Sequence, residues 1–502
     1  MGGDDGGGRL ASGPGLASLG LRLAEVAAFL RGAAAGPEGP PVGSVATDSR
    51  LAGPGAVFVA LRGERLDGHD FVPAALDGGA LAAVVREGFR GPADEGRLIR
   101  VPDTLAALGL LARAVRDRVG ARVVAVTGSV GKTTVKELLG AILRQECPAG
   151  ALVLSPGNFN NQVGLPLTLL SQGAGTTTVV AELGASGFGE IAALARMARP
   201  DVGLVTVAGQ AHLESFGSVE GVARAKGELY AALGPGAVAV VNAGDGPMMA
   251  QAADLAAGKT YFGLAGTLAA AGLLDQGVAL AGRRDLGAGG QELALRLPGG
   301  QTVETLLRLP GEHNALNAAA AAAAALAAGA PALAIGPGLA SARPVPGRLR
   351  MLRGRGGRSL IDDSYNANPT SVAAALAFLG SLPGFAARGA ILGDMLELGG
   401  GSGERHFEAG LMAARAGLSW LALVGDQAGQ VARGALAGGL GPEGLAVFGT
   451  PAEAAAWVDR VAPGGSVTLV KGSRAIGLER AVRELAEEGP EGQGAGAGKP
   501  HF

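Results

Sequence analysis

Between residues 19 and 485, short runs of Val, Leu and Ile alternate with Ala- and Leu-rich stretches of helical spacing. This is the pattern of an α/β chain with mostly parallel sheets. The runs fall into three blocks. The first, from about Leu19 to Pro102, has expected strands at Ala56–Leu61 and Ala80–Val85 around the polar stretch Gly63–Asp70, and it is too small for a full dinucleotide fold. The second opens with an expected helix over Thr104–Val119 and continues through strands at Val123–Thr127, Thr178–Glu182, Val202–Val207 and Val238–Asn242. The third follows Pro344-Val-Pro346, with strands at Ser359–Asp362, Gly389–Leu392, Leu421–Val424 and Ser466–Val470 spaced as in a doubly wound sheet. The alanine tract Ala318–Ala328 reads as a buried helix stopped by Gly329 and Pro331.

Composition narrows this picture. A length of 502 residues fits three domains at roughly 150 residues each, with boundaries expected at 19–102, 103–343 and 344–487. The Gly-rich segments 1–18 and 488–502 read as flexible tails. A formal net charge of -2 supplies no field for nucleic acid or anionic lipid. The mean hydropathy of +0.30 comes mostly from alanine, and no stretch reaches the length of a membrane span. The start of the chain lacks the charged and apolar regions of a secretion signal, so a cytoplasmic location is expected. One cysteine, Cys147, cannot form an internal disulfide and reads as a small hydrophobe at a helix end.

The sharpest local feature is Val123-Val-Ala-Val-Thr-Gly-Ser-Val-Gly-Lys-Thr-Thr134, a buried strand running through a glycine loop into a helix with Val135, Leu138, Leu139 and Ile142 on one face. Gly128 and Gly131 let the amides of Ser129, Val130 and the following residues turn inward around a phosphate, and the helix adds its positive end. Lys132 brings a point charge for the terminal phosphates, Thr133 a hydroxyl for Mg²⁺, and Thr134 continues the first turn. The full pattern G-x-x-x-x-G-K-[ST] is not met, because Val126 stands at its first glycine.

Several other residues gain meaning only together. Glu182 ends an apolar strand, where the ligand crevice of an open α/β sheet lies, although a lone strand-end Glu is usually solvated. His212 follows the next strand, and a generic exposed histidine is its plain alternative. Lys226, on an expected helix, reads by itself as a surface lysine. Asn314 and Asn317 share one helix face, suited to a base edge or to capping. Arg348 and the Ile361–Pro369 segment offer an arginine for a phosphate and strand-end acids for a ribose, or else a surface charge and a turn.

The ordered set is more specific than its members. The phosphate loop, Asn158-Phe-Asn-Asn-Gln-Val-Gly-Leu-Pro166, Glu182-Leu-Gly, His212-Leu-Glu-Ser-Phe-Gly-Ser218, Ala225-Lys-Gly-Glu228, Glu312-His-Asn, Pro346-Gly-Arg and Asp362-Asp-Ser-Tyr-Asn-Ala-Asn-Pro369 together resemble the Mur ligase family of ATP-dependent amide-forming enzymes. Thr47-Asp-Ser-Arg50, Ala60–Phe71 and Gly393-Asp-Met-Leu-Glu-Leu398 resemble the branch of that family that joins D-alanyl-D-alanine to UDP-MurNAc-tripeptide. A sister amino-acid ligase of the family, or a folylpolyglutamate synthase, is the alternative. The resemblance implies an α/β protein of three domains: a small amino-terminal domain for the UDP-sugar, a central P-loop ATPase with a mostly parallel sheet, and a Rossmann-like carboxy-terminal domain closing on the nucleotide about a hinge near Pro344–Gly347.

The same resemblance implies ATP and two Mg²⁺ ions. Thr133 and Glu182 would hold one ion, and His212 with a carbamylated Lys226 would support the other. Lys132 and Arg348 would serve the γ-phosphate, Asn314 the adenine and Asp363 the ribose. Ser49, Arg50 and His69 would meet the UDP-sugar, Asn160 and Asn161 the substrate near the phosphates, and Tyr365, Asn366 and Asn368 the incoming dipeptide. A monomer that makes a peptidoglycan precursor is expected, with neither nucleic acid nor membrane as partner.

Overall fold

The computed structural model describes residues 15–31, 38–91 and 94–487. Three sheets account for its framework. In the first, the parallel strands Ser44–Ala46, Ala56–Val59, Ala82–Arg86 and Leu98–Val101 lie side by side in chain order. Successive side chains of a strand point to opposite faces. Val57, Val59, Ala82 and Val84 therefore enter one core, while Phe58, Ala83 and Val85 enter another. The first of these cores is shared. It continues through Leu108 and Leu111 of the helix Thr104–Val119 to Val123, Ala125 and Val179 of the central sheet, so the first two blocks are packed as one body.

The central sheet has nine strands in the order 302–307, 291–296, 277–285, 258–264, 238–242, 202–205, 122–127, 178–182, 152–154. Seven run parallel, and the two at the 302–307 edge pair antiparallel. Val124 and Val126 face the side on which the helix Lys132–Leu143 packs against Glu312–Ala327. Ala318 to Ala325 are all buried there, methyl-sized side chains that let the long helix sit close to the phosphate-loop helix.

The third sheet runs 350–354, 358–363, 467–471, 388–393, 420–424, 445–448, parallel except for its first pair. Helices cover both faces, as a doubly wound sheet requires. The segment between the helix Ile335–Ser341 and the strand Arg350–Gly354 crosses from the second sheet to the third. Its Gly347 amide donates to Asp362 (2.9 Å) and its Gly347 carbonyl accepts from Tyr365 (3.1 Å), so its end belongs to the third unit.

One boundary is corrected. A tail over 1–18 was expected, but Leu16–Leu19 forms a 3₁₀ turn and Leu16 is wholly buried, because its side chain completes the core under the helix Leu23–Leu30. Residues 1–14 and the tail expected over 488–502 lie outside the described residues. Among the described residues no helix is long and apolar enough to cross a membrane.

Candidate functional site

The buried strand Arg122–Thr127 delivers the chain into the phosphate loop. Gly128 has φ +142°, and a Cβ there would lie 2.0 Å from Thr206 Oγ1; Gly131 has φ +84°, with Asn317 Oδ1 2.6 Å from where its Cβ would be. Both conformations and both approaches need glycine. Val126, at the position of the missing first glycine, is a core residue of the strand, so the loop turns two residues later. No side chain caps the helix Lys132–Leu143, which leaves its first amides for an anion. The Lys132 ammonium donates to the Gly128 carbonyl (2.7 Å). Burial holds its pKa below the ordinary lysine value, with Glu182 opposing and Arg348 adding to the depression.

Glu182 ends the strand Thr178–Glu182 and is 2 % exposed, so the solvated reading of this residue does not hold. Thr133 Oγ1 donates to its Oε2 (2.8 Å) and Asn160 Nδ2 to its Oε1 (2.9 Å). Arg348 reaches across from the third unit to donate to the same Thr133 hydroxyl (2.9 Å). One carboxylate, one hydroxyl and one guanidinium thus converge at the mouth of the phosphate loop. Asn161 accepts the amides of Val163 (3.1 Å) and Gly164 (2.8 Å) and so orders the start of the next helix.

Lys226 is also no surface residue. On the helix Val219–Ala231 it is 1 % exposed, with Nζ 3.4 Å from the Ala185 carbonyl and 5.4 Å from the Phe216 ring centroid. Burial first, then the positive charge of Lys132, brings its pKa down to about 7 against the pull of Glu190 and Glu228. His212 stands nearby with φ +52°. Its buried Nδ1 lies 2.5 Å from Glu397 Oε2, a contact that is ionic only when the ring is protonated, and it has no aligned hydrogen-bond partner. Burial, before any neighbouring charge, holds the His212 pKa below its usual value.

The donor set bears on which cation could sit here. Among the described residues no three His, Cys, Asp or Glu side chains cluster as a metal cage. What Glu182 and Thr133 offer is one carboxylate and one hydroxyl, which suits Mg²⁺, an ion that keeps waters and takes its remaining ligands from substrate phosphates. At the other corner a protonated Lys226 would repel a cation, so an ion beside His212 fits a deprotonated or modified Lys226.

Lys132, Thr133, Asn160, Asn161, Glu182 and His212 line a cavity of about 590 Å³ between the second and third units, and Lys226 stands behind Ala185 of its wall. Its far wall carries Arg348, Asp363, Tyr365, Asn366, Asn368 and Lys471. Tyr365 is flanked by the guanidiniums of Arg348 and Arg474, at 4.4 and 5.6 Å from its ring centroid. Asp363 is paired with the buried Lys471 (2.7 Å) and accepts the Leu349 amide (3.1 Å). Asn368 is the N-cap of the helix Pro369–Ser381, and the Asn366 side chain accepts the Ala367 amide (2.9 Å). Asn314, also in the wall, donates to the Pro310 carbonyl (2.7 Å) and accepts from Asn317 (3.2 Å), confirming their common face.

Three expected residues stand elsewhere. Ser49, Arg50 and His69 occupy the carboxyl ends of the first sheet's strands and do not line this cavity. Both His69 ring nitrogens are engaged, Nδ1 with Asp67 (2.6 Å) and Nε2 with the Arg86 amide (3.0 Å), so its ring holds the loop together. Sequence reasoning also overlooked Lys136, Lys471 and Glu397. Lys136 is fully buried and ties the Ser155 and Gly157 carbonyls, at the root of the Asn160 loop, to the phosphate-loop helix (2.7 and 3.2 Å). A lysine one turn into the helix, between the apolar Val135 and Leu138, was its available signal. Lys471 is the last residue of the strand Val467–Lys471, one position beyond the apolar run that ends at Val470.

The chain matches known proteins along most of its length. Residues 41–116 match the Mur ligase family catalytic domain, 126–325 the Mur ligase middle domain and 347–474 the Mur ligase glutamate ligase domain. UDP-N-acetylmuramoyl-tripeptide--D-alanyl-D-alanine ligase of Escherichia coli K12 is 39 % identical over 451 residues, covering 89 % of this chain and 94 % of the relative. A crystal structure of MurF from Acinetobacter baumannii superposes with a TM-score of 0.77 at 34 % identity, covering 88 % of this chain and 92 % of that one. MurF ligase from Thermotoga maritima in complex with ADP gives 0.74 at 29 %, covering 88 % and 96 %. Three matched domains around one phosphate-binding cleft place this chain in the Mur ligase family, to which it belongs.

Proposed function

We propose that this chain uses ATP to join D-alanyl-D-alanine to UDP-N-acetylmuramoyl-tripeptide, releasing ADP and phosphate and giving the UDP-MurNAc-pentapeptide precursor of peptidoglycan. The reading rests above all on the meeting of Arg348, Thr133 and Glu182 at the phosphate loop, across the line between two domains. The dipeptide as acceptor, rather than a single amino acid or a folate, rests on relatives whose names specify it.

In this reaction an oxygen of the tripeptide's terminal carboxylate attacks the γ-phosphorus of ATP, the bond to the β-phosphate oxygen breaks and ADP leaves. The neutral amine of D-alanyl-D-alanine then adds to the acyl phosphate carbonyl, phosphate departs, and the amine loses its proton to leave an amide. Carboxylate and triphosphate repel each other, so the first step is governed by charge neutralisation and alignment. Lys132 and Arg348 supply that charge from opposite domains. Mg²⁺, when bound, would supply further positive charge against the phosphates. Glu182 and Thr133 would hold one ion, and His212 with a carbamylated Lys226 would face the other. Gly128 to Thr134 would cradle the phosphates, Asn314 would meet adenine and Asp363 a ribose hydroxyl. Asn160 and Asn161 would border the tripeptide end, with Tyr365, Asn366 and the helix start at Asn368 beside the dipeptide. Ser49 and Arg50, on a loop edge shared with His69, would meet the UDP-sugar. A cleft between two domains excludes water from the acyl phosphate.

Phosphate release from ATP, measured with UDP-MurNAc-tripeptide in the presence and absence of D-alanyl-D-alanine and paired with mass detection of the pentapeptide, tests this. Product is expected only with both substrates, and Lys132→Ala is expected to abolish it. Turnover with a single amino acid or a folate instead of the dipeptide would refute the assignment.

A further inference from the structure

The Gly393–Leu398 segment leaves the end of the strand Arg388–Gly393 as a loop fixed at almost every residue. The buried Asp394 carboxylate accepts the amides of Asp426 (2.8 Å) and Gln427 (3.1 Å). The Met395 amide donates to Nε2 of the buried His406 (2.9 Å), whose Nδ1 is 2.7 Å from the Ser402 carbonyl, so Nδ1 carries the proton. The Leu396 amide donates to Ser473 Oγ (3.0 Å), and Leu398 is buried.

At the tip, Glu397 has φ +63°, and the residue it meets across the domain boundary, His212, has φ +52°. Non-glycine residues keep that conformation where surrounding contacts impose it. The two segments close on each other here. The Glu214 amide points at the Glu397 carbonyl (3.4 Å), and a Cβ on Gly399 would lie 3.3 Å from Glu214 Cα. The His212 ring is bounded by the edge of Phe216 (centroids 6.2 Å apart) and by the Glu397 carboxylate at Nδ1 (2.5 Å), and it lines the cavity. A carboxylate at one ring nitrogen fixes ring rotation and leaves the other nitrogen for the cleft.

We propose that Glu397 is a positioning residue, supplied by the C-terminal domain, that orients the His212 ring of the central domain and so completes the His212–Lys226 corner of the cleft only when the two domains are docked. This rests on the ligase reading above. The contact makes assembly of that corner a consequence of docking, so ATP held by the central domain alone meets an unfinished site.

The test compares E397Q, H212A and the double variant in the full chain. Glu397 is more than half exposed at its side chain, so the amide is expected to leave the melting temperature unchanged. Loss of a carboxylate that orients a functional histidine lowers activity by about 10- to 100-fold; E397Q is expected to lower kcat by at least about 10-fold, with KM for ATP and ADP affinity near wild type. In the H212A background the same change is expected to add nothing, because a residue acting through His212 has no route left. With only five histidines in the chain, selective ¹⁵N-histidine labelling resolves the rings, and the His212 signals are expected to move in E397Q. Unchanged kcat in E397Q, an equal further loss on top of H212A, or unmoved His212 signals would overturn the proposal. A wild-type chain that forms no pentapeptide would instead sink the ligase reading, while the ring signals would still decide whether Glu397 orients His212.

Discussion

Removing dissolved carbon dioxide is expected to suppress the reaction, and the reason is the environment of Lys226. Its pKa, brought from 10.5 to about 7, leaves about half of the side chain as free amine at neutral pH, against about one part in 3,000 for an ordinary lysine. The free amine is the form whose nitrogen attacks CO₂, losing a proton to give an anionic carbamate, so burial raises the reactive fraction by roughly a thousandfold. The same shift has a stability consequence of fixed sign. Because the folded-state pKa is depressed, the folded chain binds fewer protons than the unfolded one between about pH 7 and 10.5. Stability from this group therefore rises across that window and is flat below it, with a total of roughly 5 kcal/mol for the unmodified amine. The assay is ¹³C NMR of protein equilibrated with labelled bicarbonate, alongside pentapeptide formation in degassed and bicarbonate-supplemented buffer. A carbamate resonance absent from Lys226→Ala and activity restored by bicarbonate are expected. A wild-type spectrum without that resonance, or activity indifferent to carbon dioxide, would refute the reasoning.

Two further outcomes follow from close approaches. Gly128→Ala places a methyl 2.0 Å from Thr206 Oγ1 at a φ of +142°, so ADP affinity measured by calorimetry is expected to fall at least about 10-fold; unaltered affinity would show that the loop tolerates a side chain. Gly410→Ala, where the helix Ser402–Arg415 crosses Ala428–Ala437, sets a methyl 2.0 Å from the Val431 carbonyl and 2.6 Å from the Ala435 amide. Denaturant unfolding is expected to show a loss of about 1–3 kcal/mol, and an unchanged midpoint would contradict the close helix packing.

Much of the framework could be read from apolar runs. Thr104–Val119, Thr178–Glu182 and Val238–Asn242 occupy their expected limits, because strands buried on both faces and an amphipathic helix write their period directly into the chain. Five strands of the central sheet were missed, at 152–154, 258–264, 277–285, 291–296 and 302–307. Three of them form the edge where pairing turns antiparallel, and Gln291–Arg296 alternates between buried and less buried positions rather than forming an apolar block. The tail boundary failed for a related reason: a Gly-rich stretch says nothing about the single leucine, Leu16, that reaches a core built by other segments.

By itself the sequence determined the α/β class, the phosphate loop and many of the side chains that line the cleft, because strand period, glycine at forced turns and ordered motifs are local properties of the chain. Only the tertiary structure decided the electrostatics. Lys226 and Glu182 read as surface charges one at a time, yet both are buried, because segments distant in sequence close over them. The pairing of Glu397 with His212, of Arg348 with Thr133 and of Lys471 with Asp363 depends on how separate strand ends are brought to one cleft. A sequence pattern fixes which side chains each strand end carries. The packing of the domains fixes their distances and their access to water, and with these their charge.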